Sequence, residues 1–457
     1  MVRRVFILSL FFIFLSPSAH ALYKTLNTKH FSIHFENDLN EKIVVEIAKL
    51  AEGGYEHLKK IYKYEPDRIH IQIENKIDIA NGYANTVQFN KIVVFLVTHN
   101  FENMDDFRNW FKSLIIHELT HIFTLDISNG YASVFRTIFG KPPIPFTTPN
   151  YTVPTWFHEG MAVFNETLFA PDGRLNSSGY DMIFRKNVIY DDFPTIDKIT
   201  SYFSNDQWPF GSSPYIYGAG MFNFMYDWLK DDAISGKLSN IHGRRFWYWV
   251  NSGIETLSGK DDYDYIDIYK DFIKNEKKKQ KEKLDIIGKN RVTRPEKMID
   301  FKDKSIRSFV IDSKRNKIYY LISSSELRDT IYVYDMNKKK TNRVYRSDYL
   351  GTRLTIDAQN DYIYFHEFQR SNSKIFARPV QCDLKKDDCD YIEDVNRFKE
   401  VSPSPKSSIL AGIKLDEQGQ RHLETVDLKT GKITRELNNT AVLNPFFFSE
   451  NQIGFVI

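Results

Sequence analysis

Residues 113–123 read SLIIHELTHIF, a run of Ile, Leu and Phe that contains two histidines and a glutamate. Apolar residues recur at helical spacing from FRNWF onward, which predicts a helix that is buried on most sides. Buried polar groups are costly unless something pairs with them. The three polar side chains are therefore either surface residues of an ordinary helix, or they converge on a partner that offsets their desolvation.

The motif HELTH places His117 and His121 one turn apart on one helix face, where both imidazoles can bind one metal ion. Glu118 lies about 100° around the helix, where it reaches a water on the metal rather than the metal itself. Zinc binds neutral imidazole readily and lowers the pKa of such a water to about 7, so a glutamate is a sufficient base. The motif predicts a site for one Zn²⁺ ion, with Glu118 as the general base.

A third ligand has to come from elsewhere, because Thr124 and Ile127 stand where the extended metzincin pattern requires Gly and His. The segment PTWFHEGMAVFNE (154–166) resembles the W-x-x-E-G-x-A segment of gluzincins, the aminopeptidase-N-like zinc peptidases. The resemblance implies that Glu159 is the third zinc ligand. The 37 residues between it and the HELTH motif exceed the aminopeptidase-N spacing by a Pro-rich, loop-like stretch (128–155), which favours the peptidase-MA-like branch.

The predicted helix around Glu159 carries further candidate residues. His158 is a rival third ligand, but on a helix it points about 100° away from Glu159. Gly160 and Ala162 are small enough for the helix to pack closely against the HELTH helix. Glu166 lies two helical turns beyond Glu159 on the same face, where it either orients a ligand histidine or faces solvent.

The segment SSPYIYGAGMFNFMYDWL (212–229) resembles the P-Y-x-x-G segment of the same enzymes, with Pro214, Tyr215 and Gly218 in register. The resemblance implies that Tyr215 donates a hydrogen bond to the tetrahedral oxyanion, with Tyr217 in reserve. The alternative in a chain with 26 tyrosines is that both side chains only pack.

The residues before the HELTH helix predict strands, because RIHIQIE (68–74) and NKIVVFLV (90–97) have β-type patterns. The stretch NGYANTVQFNKIVVFLV (81–97) precedes the HELTH helix, and in zinc peptidases the strand there forms the upper edge of the cleft and pairs with extended substrate. The aminopeptidase signature G-A-M-E-N, which grips the free amine of a substrate, is absent from this chain. Its absence favours an endopeptidase.

The second half of the chain repeats one pattern, a polar turn followed by alternating β residues. The equivalent isoleucines are 45, 46 and 44 residues apart: Ile318, Ile363, Ile409 and Ile453. A repeat of this length with paired hairpins is typical of β-propeller blades, and the alternative is a β-sandwich with coincidental spacing. The turn DLKTGK (427–432) resembles the D-x-x-T-G-K turn of the WD40-like blades in the TolB family.

The propeller pattern is incomplete, because three complete units fit and the chain stops inside the opening strand of a fourth. Three blades leave long unpaired strand edges. The sequence is therefore either a truncated piece of a longer protein, which we favour, or it closes its edges on a protein partner.

The two cysteines of the chain, Cys382 and Cys389, flank the sequence DLKKDD. In an oxidising compartment a pair this close is expected to form a disulfide across a hairpin turn. The alternative is a two-thiol metal site, although nothing nearby completes a ligand set.

The segment MVRRVFILSLFFIFLSPSAHA (1–21) has the layout of a cleavable export signal: two arginines, an apolar run, then small residues. An uncleaved membrane anchor is the alternative, but the apolar run is short for a span. No cysteine lies near the cleavage point, so a lipid-anchored protein is not expected. No other apolar run is long enough to cross a bilayer, so we expect no stable membrane span after cleavage. The protein is expected in the periplasm or secreted.

The charge balance argues against nucleic acid as a partner. Removing Arg3 and Arg4 with the export signal lowers the formal net charge from +3 to +1. Nucleic-acid binding depends on neutralising phosphates with excess cations, and this chain has no such excess.

Together these patterns predict an α+β zincin-like metallopeptidase domain (22–285), a linker (286–300) and an incomplete all-β propeller-type repeat domain (301–457). The predicted function is an exported zinc-dependent endopeptidase that hydrolyses peptide bonds in a peptide or protein substrate, and a protein partner is expected on the propeller. The alternative is a non-catalytic exported binding protein that acts through its propeller.

Overall fold

The computed structural model describes residues 23–97, 110–170, 173–200, 208–246, 249–290, 298–299, 304–323, 328–357, 359–371, 374–386, 388–438, 442–450 and 452–456. The predicted export signal and part of the predicted linker lie outside these ranges. Within them, no helix has both the length and the apolar character needed to cross a membrane.

The first half contains a five-stranded mixed sheet in the order β1-β2-β3-β5-β4. Strands β2, β3 and β5 are parallel, whereas β1 and β4 pair antiparallel at the two edges. Ile69, Ile71 and Ile73 alternate along β3 and are buried in the core that the sheet shares with the helices, as the sequence pattern predicts. The strands are β1 (Tyr23–Asn27), β2 (Phe31–Glu36), β3 (Ile69–Glu74), β4 (Gly82–Asn85) and β5 (Asn90–Phe95).

Helices pack around this sheet and share its core, which includes the fully buried Trp156 and Phe157. The helix Glu41–Tyr62 begins after Asn40, whose side chain accepts a hydrogen bond from the Lys42 N–H. The helices within the described ranges are α1 (Glu41–Tyr62), α2 (Trp110–Leu125), α3 (Tyr131–Phe139), α4 (Thr155–Phe169), α5 (Ser178–Tyr190), α6 (Ser213–Leu229), α7 (Ile234–His242), α8 (Ser252–Ser258) and α9 (Tyr265–Ile287).

The stretch 128–155 is more ordered than the sequence indicates. It contains α3 and a short 3-10 turn at Pro149–Thr152, so the prediction of a plain loop is wrong there. The loop was predicted because prolines, threonines and asparagines are frequent in this stretch. Gly130 and Gly140, however, flank a helix. Both glycines have positive φ, a conformation that suits a helix boundary.

Helices α4 and α6 meet backbone to backbone. A Cβ on Gly160 would lie 2.2 Å from the carbonyl carbon of Gly218, and a Cβ on Gly218 would lie 2.2 Å from the carbonyl oxygen of Trp156. The prediction that Gly160 serves a close contact with the HELTH helix is therefore wrong, because its close neighbour is α6. This contact sets the position of Tyr215 on α6 relative to Glu159 on α4.

The second half is a β-propeller-type domain of four-stranded antiparallel sheets that follow one another along the chain. Each repeat isoleucine lies in the second strand of its sheet, which explains the regular spacing. The strands are β6 (Ser305–Asp312), β7 (Lys317–Ser323), β8 (Thr330–Asp335), β9 (Lys340–Arg346), β10 (Thr355–Asp357), β11 (Tyr362–Ser371), β12 (Lys374–Asp383), β13 (Asp388–Tyr391), β14 (Phe398–Pro403), β15 (Ile409–Leu415), β16 (Arg421–Asp427), β17 (Ile433–Leu437), β18 (Leu443–Ser449) and β19 (Gln452–Val456).

The last sheet has two strands, β18 and β19, where the sequence pattern predicts only an opening strand. The sequence pattern placed the start of each unit one strand too late, because the repeat isoleucine lies in the second strand of its sheet and not in the first. Small apolar cores lie between neighbouring sheets, one of them around Leu321 and Phe365 and the next around Tyr364 and Val401. Successive sheets are thus packed face to face, as blades are.

The disulfide predicted at the hairpin turn is present in the structure. Cys382 and Cys389 face each other across the pairing of β12 with β13, with their Cα atoms 4.0 Å apart. This leaves no thiol for a metal site, since the chain has no other cysteine.

The two halves meet at the segment that leads into β4. Ile77 forms a parallel β-bridge with Ile375, and the Asp78 carboxylate binds the Arg397 guanidinium at 2.7 Å. Asp78 also accepts a hydrogen bond from the Ala377 N–H at 3.0 Å. Residues just before the edge strand of the first sheet are therefore held by strands of the second half.

Candidate metal centre

Two helices bring three donor atoms together. Helix α2 carries His117 and His121, and α4 carries Glu159. The Oε2 atom of Glu159 lies 3.1 Å from Nε2 of His117 and 3.5 Å from Nε2 of His121. The three donors lie within 4.8 Å of one another, and no second cluster of this kind occurs among the described residues.

These separations suit a tetrahedral zinc ion. Zinc–ligand bonds of about 2.0–2.1 Å place two tetrahedral ligands about 3.3 Å apart. The observed nitrogen–oxygen separations of 3.1 and 3.5 Å bracket that distance. Two imidazoles and one carboxylate also form a donor set that leaves a fourth position open, as catalytic zinc sites do. The residues present therefore fit the ion that the sequence predicts.

Glu166 lies beneath His117 and is 1% exposed. Its Oε2 atom is 3.2 Å from Nδ1 of His117, on the side of the ring away from Glu159. Arg174 binds Glu166 with two nitrogens, Nε at 2.7 Å and Nη2 at 2.8 Å. Glu166 therefore contacts one of the predicted ligand histidines and does not face solvent.

Burial and ion pairing shift the pKa values of these groups in opposite directions. Burial disfavours the charged imidazole of His117, but hydrogen bonds to Glu159 and Glu166 outweigh it and raise its pKa to about 9. Burial likewise opposes ionisation of Glu159, yet the imidazoles of His121 and His117 hold its pKa well below the usual range. The carboxylate is thus ionised and ready to bind a cation.

The donors lie in a cleft of about 790 Å³, and Glu118 lines the same cleft. Burial raises the pKa of the Glu118 carboxyl, although the charges of His117 and His121 act in the opposite direction. A carboxylate whose pKa is raised toward neutrality is a better proton acceptor. Glu118 stands beside the donor cluster but outside it, as its position on the helix predicts.

The structure separates the two candidate tyrosines. The Tyr215 ring stacks on the His117 ring with centroids 5.9 Å apart, and Tyr215 lines the cleft. Tyr217 is fully buried on the other side of α6, where its hydroxyl accepts a hydrogen bond from the Asn187 amide. Tyr215 therefore lies at the cleft beside His117, whereas Tyr217 is packed in the core.

His158 is on the cleft wall but outside the donor cluster. Burial and the neighbouring His121 lower its pKa to about 4, so the imidazole is neutral at neutral pH. This position outside the cluster agrees with the prediction that His158 points away from Glu159 on the helix.

Two parts of the cleft were not found from the sequence. Arg174 comes from a 3-10 turn after α4, and Tyr349 comes from the propeller-type domain. Another side of the cleft was predicted: the stretch 81–97 contributes residues 81–84, which lead into β4, and Ile79 and Ala80 continue that side. No local pattern marks Arg174 or Tyr349, because each reaches the cleft only through the packing of separate elements.

Neither a protein-family model nor a curated protein matches this chain. Solved structures with a propeller do show partial similarity. TolB from Acinetobacter baumannii is 15% identical with a TM-score of 0.30, over 34% of this chain and 38% of that one. The β-propeller domain of the Trilobed protease from Pyrococcus furiosus is 10% identical with a TM-score of 0.23, over 28% of this chain and 42% of that one.

A third similar structure is the acylaminoacyl peptidase from Pyrococcus horikoshii, which is 11% identical with a TM-score of 0.26. The match covers 32% of this chain and 27% of that one. The matches thus cover less than half the length of each of these three structures. Similarity at this level carries no argument about activity, and the propeller-type architecture rests on the order of the sheets in this chain.

Proposed function

We propose that this chain is an exported zinc-dependent peptidase, and specifically an endopeptidase that cleaves extended protein or peptide substrates. One observation carries the proposal. Nε2 of His117, Nε2 of His121 and Oε2 of Glu159 converge from two helices on the floor of a cleft that Glu118 also lines. A general base beside a three-donor site with an open position is the arrangement that metal-assisted hydrolysis requires.

In this proposal zinc, when bound, supplies Lewis acidity that polarises the scissile carbonyl and acidifies a water. Glu118 accepts a proton from the attacking water as the new C–O bond forms. It then returns that proton to the leaving amine as the C–N bond breaks. Its raised pKa suits both steps, because the carboxylate must take up a proton and hold it briefly.

Tyr215 is proposed to donate a hydrogen bond to the oxyanion that develops on the substrate. A preorganised donor of this kind contributes a few kcal/mol, about 3–4 in the best-studied cases. The edge strand β4 is proposed to pair with extended substrate through its outer backbone groups, since its inner side pairs with β5. Such pairing holds a chain on both sides of the scissile bond, which favours an endopeptidase.

The test is Glu118→Gln in the purified, metal-loaded protein. We expect the variant to keep one zinc ion per chain by metal analysis and to lose about 10²–10⁴-fold in peptide-library cleavage. Glu276→Gln is the matched control, because Glu276 is a buried helical carboxylate that does not line the cleft. It should leave cleavage unchanged.

Two results would count against the proposal. Undiminished cleavage by Glu118→Gln would show that another group is the base. Protein that binds no zinc and cleaves no peptide would instead favour a non-catalytic binding protein.

A further inference from the structure

Helix α3 is inverted relative to an ordinary surface helix. Its cationic side chain faces inward, where Nη1 of Arg136 binds the carboxylate of the fully buried Asp126 at 3.2 Å. Its apolar side chains face outward, with Ile138 66% and Phe139 62% exposed. A helix of a globular protein normally buries the apolar face and exposes the charged one. Helix α3 therefore exposes an apolar surface on the outside of the protein.

Neighbouring segments extend this surface. Tyr131 stacks on Phe246 with ring centroids 4.7 Å apart, and Phe246 contacts the Trp249 ring at 5.7 Å. Phe135 contacts the Phe146 ring at 5.6 Å. We name this surface the aromatic ridge; its exposed residues are Val134, Phe135, Ile138, Phe139, Ile144, Phe146, Phe246 and Trp249.

The two segments that form the aromatic ridge contribute cations and no carboxylates of their own. Two of these cations are paired with carboxylates from elsewhere, because Arg136 binds Asp126 and Lys141 binds Asp67 at 3.0 Å. The sequence has no Asp or Glu between residues 127 and 158, and none between residues 243 and 254. Arg244 is exposed, and Arg245 is half-buried beside it. Contiguous exposed apolar patches mark interaction sites. Arg244 and Arg245 form a cationic rim beside Phe246, which favours an anionic partner.

We propose that the aromatic ridge inserts into the interfacial region of a lipid bilayer that contains anionic phospholipid. Side chains such as Ile138, Phe139 and Trp249 protrude, as interfacial insertion requires, and Arg244 would meet lipid phosphate. A second copy of the chain fits less well. A two-fold contact would bring the same arginines together, and neither segment has a carboxylate to pair with them.

The ridge stands close to the cleft. Tyr151, which lines the cleft, is five positions after Phe146, so their Cα atoms lie at most about 18 Å apart. Tyr151 also hydrogen-bonds Thr86, the residue after β4, at 2.8 Å. Docking would therefore place the cleft at the membrane surface. On the proposed function, which this step assumes, substrates would be polypeptide segments that lie beside a membrane.

The test measures vesicle binding by protein that begins at Leu22, the predicted mature N-terminus. Phosphatidylcholine vesicles with and without phosphatidylglycerol are the probes. The unaltered protein should bind vesicles that contain phosphatidylglycerol, and the double variant Ile138→Ser, Phe139→Ser should bind them at least about tenfold more weakly. The double variant Ile189→Ser, Tyr190→Ser, which removes two equally exposed apolar side chains from α5, should bind as the unaltered protein does.

A charge variant tests the cationic rim without removing apolar surface. Arg244→Glu should weaken binding to the phosphatidylglycerol vesicles by about fivefold or more. Glu118→Gln should bind vesicles like the unaltered protein, so a failed cleavage assay and failed docking remain separate results.

Three outcomes would overturn the proposal. They are no binding of the unaltered protein to phosphatidylglycerol vesicles, equal binding by the Ile138→Ser, Phe139→Ser variant, and a lipid-free dimer that this variant dissociates in sedimentation experiments. The last would assign the ridge to a second copy of the chain.

Discussion

The floor of the metal centre and the junction between the two halves are each built on a buried arginine–carboxylate pair. In the first, Arg174 binds Glu166 with two nitrogens beneath His117. In the second, Arg397 binds Asp78 at 2.7 Å and also donates to the Asn75 carbonyl oxygen at 3.0 Å.

The pairs differ in what else their members touch. The Arg174 side chain is 16% exposed and lines the cleft, and Glu166 reaches the imidazole of His117. Asp78 has no exposed side-chain surface, and its remaining hydrogen bond goes to the Ala377 backbone. The same kind of ion pair therefore supports a candidate metal site in one place and a contact between the two halves in the other, and the difference lies in the group that each carboxylate also touches.

The largest effect is expected at the junction. Arg397→Met leaves the Asp78 carboxylate buried without its cation, which costs about 3–5 kcal/mol. We expect this loss in the free energy of unfolding in urea, together with faster hydrogen exchange over residues 75–85. Adding Asp78→Asn should recover part of the loss, because it removes the uncompensated charge.

The control for the junction is an exposed ion pair of the same type. Arg328 binds Asp348 at 2.8 Å, but their side chains are 63% and 79% exposed. Arg328→Met should change stability by about 1 kcal/mol at most. Equal effects of Arg397→Met and Arg328→Met would show that burial does not distinguish the two pairs.

A smaller and different effect is expected beneath the metal centre. Glu166→Gln keeps the size of the side chain but removes the carboxylate that orients His117, so zinc affinity should fall by about 10–100-fold. Competition with a chelator measures this change. Glu276→Gln should leave the affinity unaltered, and an unaltered affinity in Glu166→Gln would reduce Glu166 to a structural role.

The smallest effect belongs to a carboxylate that is only partly buried. Hydrogen bonds from Gln280 and Lys283 outweigh the effect of burial on Asp181 and lower its pKa to about 2. Because the folded pKa lies below the usual value, the stabilisation is complete above about pH 4 and is lost as the pH falls toward 2. Asp181→Asn should cost about 1 kcal/mol at pH 7, after allowance for solvent screening, and little near pH 2. Urea unfolding at several pH values measures this cost. A cost that does not change between pH 7 and pH 2 would contradict the prediction.

Local patterns predicted much of the architecture. The 3.6-residue period predicts the helix that carries His117 and His121, and β3 follows from its alternating isoleucines. The repeat predicts successive antiparallel sheets, although it misplaces the first strand of each. Helix α3 was not predicted, because polar residues and prolines are frequent in the rest of the stretch 128–155.

The sequence by itself determined the features that depend on near neighbours: two imidazoles one helical turn apart, a glutamate beside them, and a hairpin with a cysteine on each strand. Only the tertiary structure decided which distant groups meet. It brought Glu159 to 3.1 Å from His117, placed the ring of Tyr215 rather than that of Tyr217 beside His117, placed Arg174 under the site and left the apolar side chains of α3 exposed. The physical reason is that such encounters depend on how whole helices pack, as at Gly160 and Gly218, and helix packing combines contacts from residues far apart in the chain.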